Sequence, residues 1–189
     1  MRKLQLFSIL LFCLTSYIPV YGQNETAALT FEEVIAICET EARQRVEEFI
    51  QEKIRFHRWD PEYDALKIEF TSDTLFIESV EICLSEKGRD NMMEMKFTAA
   101  YKEEKYDQLL NKYYRIVRDR LTPEHQQLFL NAQRTWLRYR DSEEEINKQF
   151  ITSGAYTGGG TMWPLVSALH GVQMIKQRVV YFYELLDCI

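Results

Sequence analysis

The chain lacks several features that would assign it a chemistry. It has no excess of cations, with 23 Lys and Arg against 29 Asp and Glu and a formal net charge of −6. Nucleic-acid binding, which needs clustered cations to displace counterions, is therefore disfavoured. No internal repeat, low-complexity tract or long block of like charge is present, so arrays and charged interaction tails are set aside. Cys38, Cys83 and Cys188 are too widely spaced for a zinc motif, and His57, His125 and His170 form no two-histidine helical metal site. Nor is there a nucleophile elbow. The adjacent Glu143, Glu144 and Glu145 point in different directions on a helix, as a solvated face does, rather than forming the facing carboxylates of a glycosidase. No catalytic residue, metal ligand or cofactor is assigned, and an enzyme is not expected.

What is present begins at the amino terminus. Arg2 and Lys3 precede an apolar run from Leu4 to Leu14, and a short segment ends at Val20-Tyr21-Gly22-Gln23. This is the three-part layout of a secretory signal with a small residue at the cut, so residues 1–22 are expected to be removed. The competing reading is an uncleaved anchor, although Leu4 to Val20 falls short of the roughly 18 apolar residues of a usual span. Phe12 stands before Cys13, where a lipidated cysteine normally follows a small residue. No second run of spanning length follows, which points to a secreted or periplasmic protein without a stable membrane span. Without Arg2 and Lys3 the chain carries 21 basic and 29 acidic side chains, a formal charge of −8. Such a surface favours basic partners. In an oxidising compartment two of Cys38, Cys83 and Cys188 are expected to pair, with three pairings possible.

The periodicity predicts an all-α domain of five amphipathic helices. After the N-cap Thr30, the spacing of Phe31, Ile35, Cys38, Ala42, Val46 and Phe49 predicts a helix to about Arg58, ended by Trp59-Asp60-Pro61. Leu66 to Phe70 alternates like a strand, but no second strand is available to pair with it. Residues 61–72 are read as a connection, with a second helix starting after Ser72 or Asp73 and ending near Lys87-Gly88. A third, from near Asp90, carries the stripe Tyr106, Leu109, Tyr113, Val117 and Leu121. Thr122-Pro123-Glu124 then starts a fourth helix reaching about Ser153. The run Gly154 to Gly160 breaks the chain, and a fifth helix follows from Thr161 or Met162. The organisation expected is a signal over 1–22, an N-terminal helix and connection over 23–72, and a helical domain over 73–189. An up-and-down arrangement places Cys38 and Cys83 towards the glycine-loop end and Cys188 at the other, which favours a bridge between the first two.

Two stretches carry candidate recognition chemistry. On the fourth helix Phe129, Gln133, Trp136 and Arg140 align on one face, while Arg134, Arg138, Asp141 and Glu145 share another. The first face should pack, with Gln133 and Arg140 finding partners; the second reads as an ion-pair ladder in solvent, or as an anion-binding row. Gly158-Gly159-Gly160-Thr161 leads into the fifth helix, so its amides could cradle an anion. It is not a phosphate-binding P-loop, because Thr161-Met162 follows the glycines where a lysine is required. Trp163 beside this loop is either a core plug or an exposed binding anchor.

Tyr106-Asp107-Gln108-Leu109-Leu110-Asn111, Leu130 to Trp136 (LNAQRTW), Tyr139-Arg140-Asp141, Gly158-Gly159-Gly160-Thr161 and a last helix containing Arg178 together resemble the LprI-like lysozyme-inhibitor family. The likeness covers roughly the last 100 residues. It implies a small, mostly helical, secreted or envelope-bound bacterial protein without a cofactor. It marks Gln133, Trp136, Tyr139, Arg140, Asp141 and Arg178 as motif residues. Where family members often carry a cysteine shortly after the YRD element, Glu144 and Glu145 stand here, so the disulfides need not follow the family. The function expected is binding of a basic, lysozyme-type muramidase and covering of its cleft, with Gly158, Gly159, Gly160, Thr161 and Trp163 as the contact element. The alternative is an envelope module that binds peptidoglycan or a small anion without enzyme activity.

Overall fold

A computed structural model describes residues 29–154, 156 and 158–189. The signal expected over residues 1–22 lies outside the described residues. The described residues are mainly helical, in the order α1 (Phe31–Arg55), α2 (Ala65–Glu86), α3 (Met92–Arg120), α4 (Pro123–Ile146), a π-helical turn (Asn147–Thr152) and α5 (Met162–Leu186). No strand occurs among the described residues.

Local chemistry sets most of the boundaries. Thr30 and Glu33 form a reciprocal capping box at the start of α1. Asn91 accepts from the amides of Met93 and Glu94 at the start of α3. Thr122 accepts from the His125 amide, with Pro123 in the first turn of α4. α1 stops three residues earlier than expected, at Arg55, because His57 takes a positive φ of 51° and turns the chain away. α2 differs more. It begins at Ala65, so residues 65–72 belong to the helix and not to a connection, and α2 runs unbroken through position 72.

Alternation explains that difference. Leu66 and Phe70, which read as one face of a strand, are also i and i+4 on a helix, and both pack against the main core. Phe70 stacks on Tyr183 with ring centroids 3.9 Å apart and meets Tyr113 edge-on. The polar run after it looked like a cap. Instead, the Ser72 and Thr74 hydroxyls donate to the carbonyls of Ile68 and Phe70 one turn back.

The main core lies between α3 and α5, which run parallel. It is built from Tyr106, Leu110, Tyr113 and Val117 on α3 and from Val172, Ile175, Val179 and Phe182 on α5. α2 and α4 flank this pair, each antiparallel to it: Phe70 meets Tyr183, Glu78 meets Lys176, and Phe129 meets Phe182. The order is the up-and-down one, with the glycine loop at the end where α2 finishes and α3 begins.

α1 closes over α2 through a second core of Val34, Cys38, Ala42, Val80, Cys83 and Leu84. Cys38 and Cys83 are joined by a disulfide inside this core, with a Cα–Cα distance of 5.5 Å. Cys188 is free and exposed.

A half-buried polar cluster links the central helices. Glu78 on α2 accepts from Lys102 and Tyr106 of α3 and from Lys176 of α5, the two lysines at 2.9 and 2.8 Å. Lys102 also pairs with Glu81. Burial alone would raise the pKa of Glu78, but the bonds from Lys176, Tyr106 and Lys102 outweigh it and hold the carboxyl at about 2. Burial, together with the bond to Glu78 and the negative charges of Glu78 and Glu81, pushes the Tyr106 hydroxyl well above the usual phenol range.

Candidate functional site

The fourth helix brings its two faces to different places. Phe129 and Gln133 are buried, and Trp136 packs partly buried against the main core. Phe129 stacks on Tyr114 and meets Phe182 edge-on. On the opposite face Arg134, Arg138, Asp141 and Glu145 are exposed, but no ladder forms among the described residues. Arg138 donates to the Thr135 hydroxyl, Asp141 pairs with Arg140, and Glu145 accepts from Gln149. In open solvent the attraction across one helical turn is too small to hold long side chains in a row.

Four of the motif residues meet where α4 packs on α5. Arg178 of α5 donates through Nε to Oε1 of buried Gln133 at 3.0 Å. Its guanidinium carbon lies 5.5 Å from the Trp136 ring, 5.0 Å from Tyr181 and 4.8 Å from Phe182. Arg140 sits 5.8 Å from the same indole. It pairs with Asp107 at 3.7 Å, Asp141 at 3.2 Å and Glu144 at 3.5 Å. Burial lowers the pKa of Arg178, opposed only by Tyr181. Tyr139 is exposed.

Beyond Arg140 an acidic cleft opens between α3 and α4, lined by Glu103, Glu104, Asp107, Arg140 and Glu144. Burial raises the Glu103 pKa, and Glu144 and Asp107 add to the rise against the pull of Arg140. This cleft was not legible in the sequence, since it needs the pairing of α3 with α4. Among the described residues no group of three His, Cys, Asp or Glu could hold a metal ion. No described helix is long and apolar enough to cross a membrane.

The glycine loop stands apart from the arginine cluster. α4 does not stop at Ile146 but widens into a π-helical turn, whose first residue, buried Asn147, hydrogen-bonds His170 Nδ1 of α5 at 3.0 Å. The chain then turns sharply. Gly154 takes φ 77°, its carbonyl accepts from the Gly158 amide at 3.1 Å, and a Cβ there would lie 3.0 Å from Gly159 Cα. Only glycine fits that place.

Gly158, Gly159, Gly160 and Thr161 are exposed, and the Thr161 side chain makes no capping bond. Trp163 is 38% exposed and lies over Gly160, whose Cβ would meet Cδ1 of the indole at 3.6 Å. The tryptophan therefore covers the loop and does not fill the core. Phe150 and Tyr156, 47% and 79% exposed, meet edge-on at the same loop. Neither was singled out in the sequence, although an aromatic inside a glycine-rich segment is a usable signal.

No curated protein and no solved structure matches the chain. A family model described as Lysozyme inhibitor LprI matches residues 83–181. That span opens at Cys83 on α2 and takes in α3, α4, the glycine loop, the Gln133–Arg178 contact and most of α5. This chain, with its helical frame and its convergent Gln133, Trp136, Arg140 and Arg178, belongs to the lysozyme inhibitor LprI family.

Proposed function

We propose that this protein binds a basic muramidase and covers its substrate cleft, acting in the periplasm or outside the cell after loss of residues 1–22. In this reading the helical domain from residue 73 onward carries the inhibition, and the residues before it contribute α1, its connection and the first turns of α2 as support. Membership of an inhibitor family, one not known for enzymes, is the observation that carries it. The contact element is the loop Gly158-Gly159-Gly160-Thr161 with Trp163. Its support is exposure: three aromatic side chains, Phe150, Tyr156 and Trp163, stand open to solvent around one turn of backbone. Aromatic side chains offer large contact area for few rotatable bonds, which is why they dominate binding interfaces.

Charge supplies the encounter. The formal charge of −8 left after loss of residues 1–22 draws a cationic enzyme over long range, an effect that salt screens within about 10 Å at 0.1 M.

The experiment is calorimetric titration of the chain from Gln23 into several muramidases, together with a cell-wall lysis assay. Retarded lysis and a complex of micromolar or tighter affinity are expected. Trp163→Ala should weaken binding by about tenfold or more without lowering the unfolding temperature. Absence of any complex or retardation at micromolar concentration would end this reading.

A further inference from the structure

Arg178 stands out among the half-buried cations of the central helices. Lys102, Lys112 and Lys176 each pair with a carboxylate, and Arg140 pairs with three. Arg178 has no carboxylate partner among the described residues. Its Nε is taken by Gln133, and the rings of Trp136, Tyr181 and Phe182 pack around the guanidinium.

The two terminal amino groups have no hydrogen-bond acceptor among the described residues. No buried side-chain nitrogen or oxygen is left without a partner there, so these groups reach solvent. Gln133 thus takes the Nε–H, while the two terminal amino groups, in contact with solvent, leave two parallel N–H donors free at the end of the fork. A carboxylate has two oxygens at the matching spacing, and the arginine fork binds such a group through two bonds at once. Burial also strips water from this charge without giving it an anion, so a neutralising partner gains more here than at a fully hydrated arginine. Arg140, on the same indole, is already neutralised by Asp107, Asp141 and Glu144 and does not compete for the ligand.

We propose that the free end of the Arg178 guanidinium is a carboxylate-recognition site, bordered by Trp136 and Tyr181, that takes a small organic carboxylate end-on. The site does not depend on the muramidase reading, and no contact links it to the glycine loop among the described residues.

The test follows the arginine side-chain and indole N–H signals of the ¹⁵N-labelled full chain by NMR. Sodium acetate is the probe, and sodium chloride at equal ionic strength is the control. Saturable acetate-dependent shifts are expected at Arg178 and Trp136, with the Arg140 signals unmoved and no such change in chloride. Arg178→Lys keeps the charge but loses the fork, and should weaken acetate binding by roughly tenfold. Arg178→Gln should abolish it, with thermal unfolding used to verify that each variant folds; if the glutamine variant does not fold, the wild-type signals and Arg178→Lys decide. Linear shifts, equal shifts in chloride, or unchanged acetate binding by Arg178→Lys would overturn the proposal.

Discussion

Gln133 Oε1 and Arg178 Nε meet at 3.0 Å across the α4–α5 interface, 45 residues apart in sequence. The acceptor is buried and the donor half-buried, so each supplies the hydrogen bond that water would otherwise give the other.

Gln133→Leu removes that acceptor while roughly preserving volume. It leaves Arg178 Nε without its partner in a partly dry place, at a cost of about 1–3 kcal/mol. Urea unfolding should show a lower midpoint with an unchanged slope. A midpoint equal to wild type would mean that the bond contributes nothing net.

Glu78 predicts an acid-sensitive core. Its folded pKa of about 2 lies below its ordinary value of 4.5, so its contribution is present in full above pH 4.5 and is lost as pH falls towards 2. Allowing for partial exposure, the loss amounts to about 2 kcal/mol. Glu78→Gln should lower stability at pH 7 and flatten its decline between pH 4.5 and 2, measured by denaturant titrations across that range. An undiminished decline in the variant would assign the effect to other carboxylates.

The Cys38–Cys83 bridge closes a loop with a sequence separation of 45. Reducing it, or replacing both cysteines with alanine, should cost about 2–4 kcal/mol, chiefly by freeing the unfolded chain. Calorimetry should show the drop in unfolding temperature, and hydrogen exchange should show α1 losing protection before α3 or α5. In the native chain from Gln23 a thiol reagent should label Cys188 alone.

Gly154→Ala places a methyl group 3.0 Å from the backbone of Gly159 at a residue whose φ is 77°. The loop must shift or the substitution costs roughly 1–2 kcal/mol. A lowered melting temperature is expected together with altered amide signals from Gly158 to Trp163. Gly158→Ala has open space around its Cβ but the same sign of φ, so its effect should be smaller. Equal effects would remove the steric part of the argument.

Helical periodicity made much of this architecture legible, because the helices bury stripes at three- and four-residue spacing and α1, α3 and α4 begin at side-chain caps. The start of α2 was hidden, since Leu66, Ile68 and Phe70 alternate as a strand does, while Leu66 and Phe70 alone also stand one helical turn apart on one face. The serine and threonines after them can cap a helix or, as here, bond back along one. On α4 the division between a packed face through Gln133 and Trp136 and an open face through Arg134 and Arg138 followed from spacing alone.

What spacing cannot reach is which helix lies opposite. The Gln133–Arg178 bond, the Glu78 cluster and the acidic cleft around Glu103 each join residues from different helices, so they come into being only when the helices dock. The π-helical turn leaves no compositional mark, because it is set by how α4 must meet the loop and by the Asn147–His170 bond.

The disulfide also makes α1 impossible to shed by a single cut. Residues 56–64 connect α1 to α2 across an exposed stretch that includes Tyr63, 87% open to solvent, the kind of site a protease opens first. Cleavage there would leave the severed helix tethered to the first residue of the family-matching segment, Cys83. The nicked molecule would migrate as one species until a reductant divides it in two.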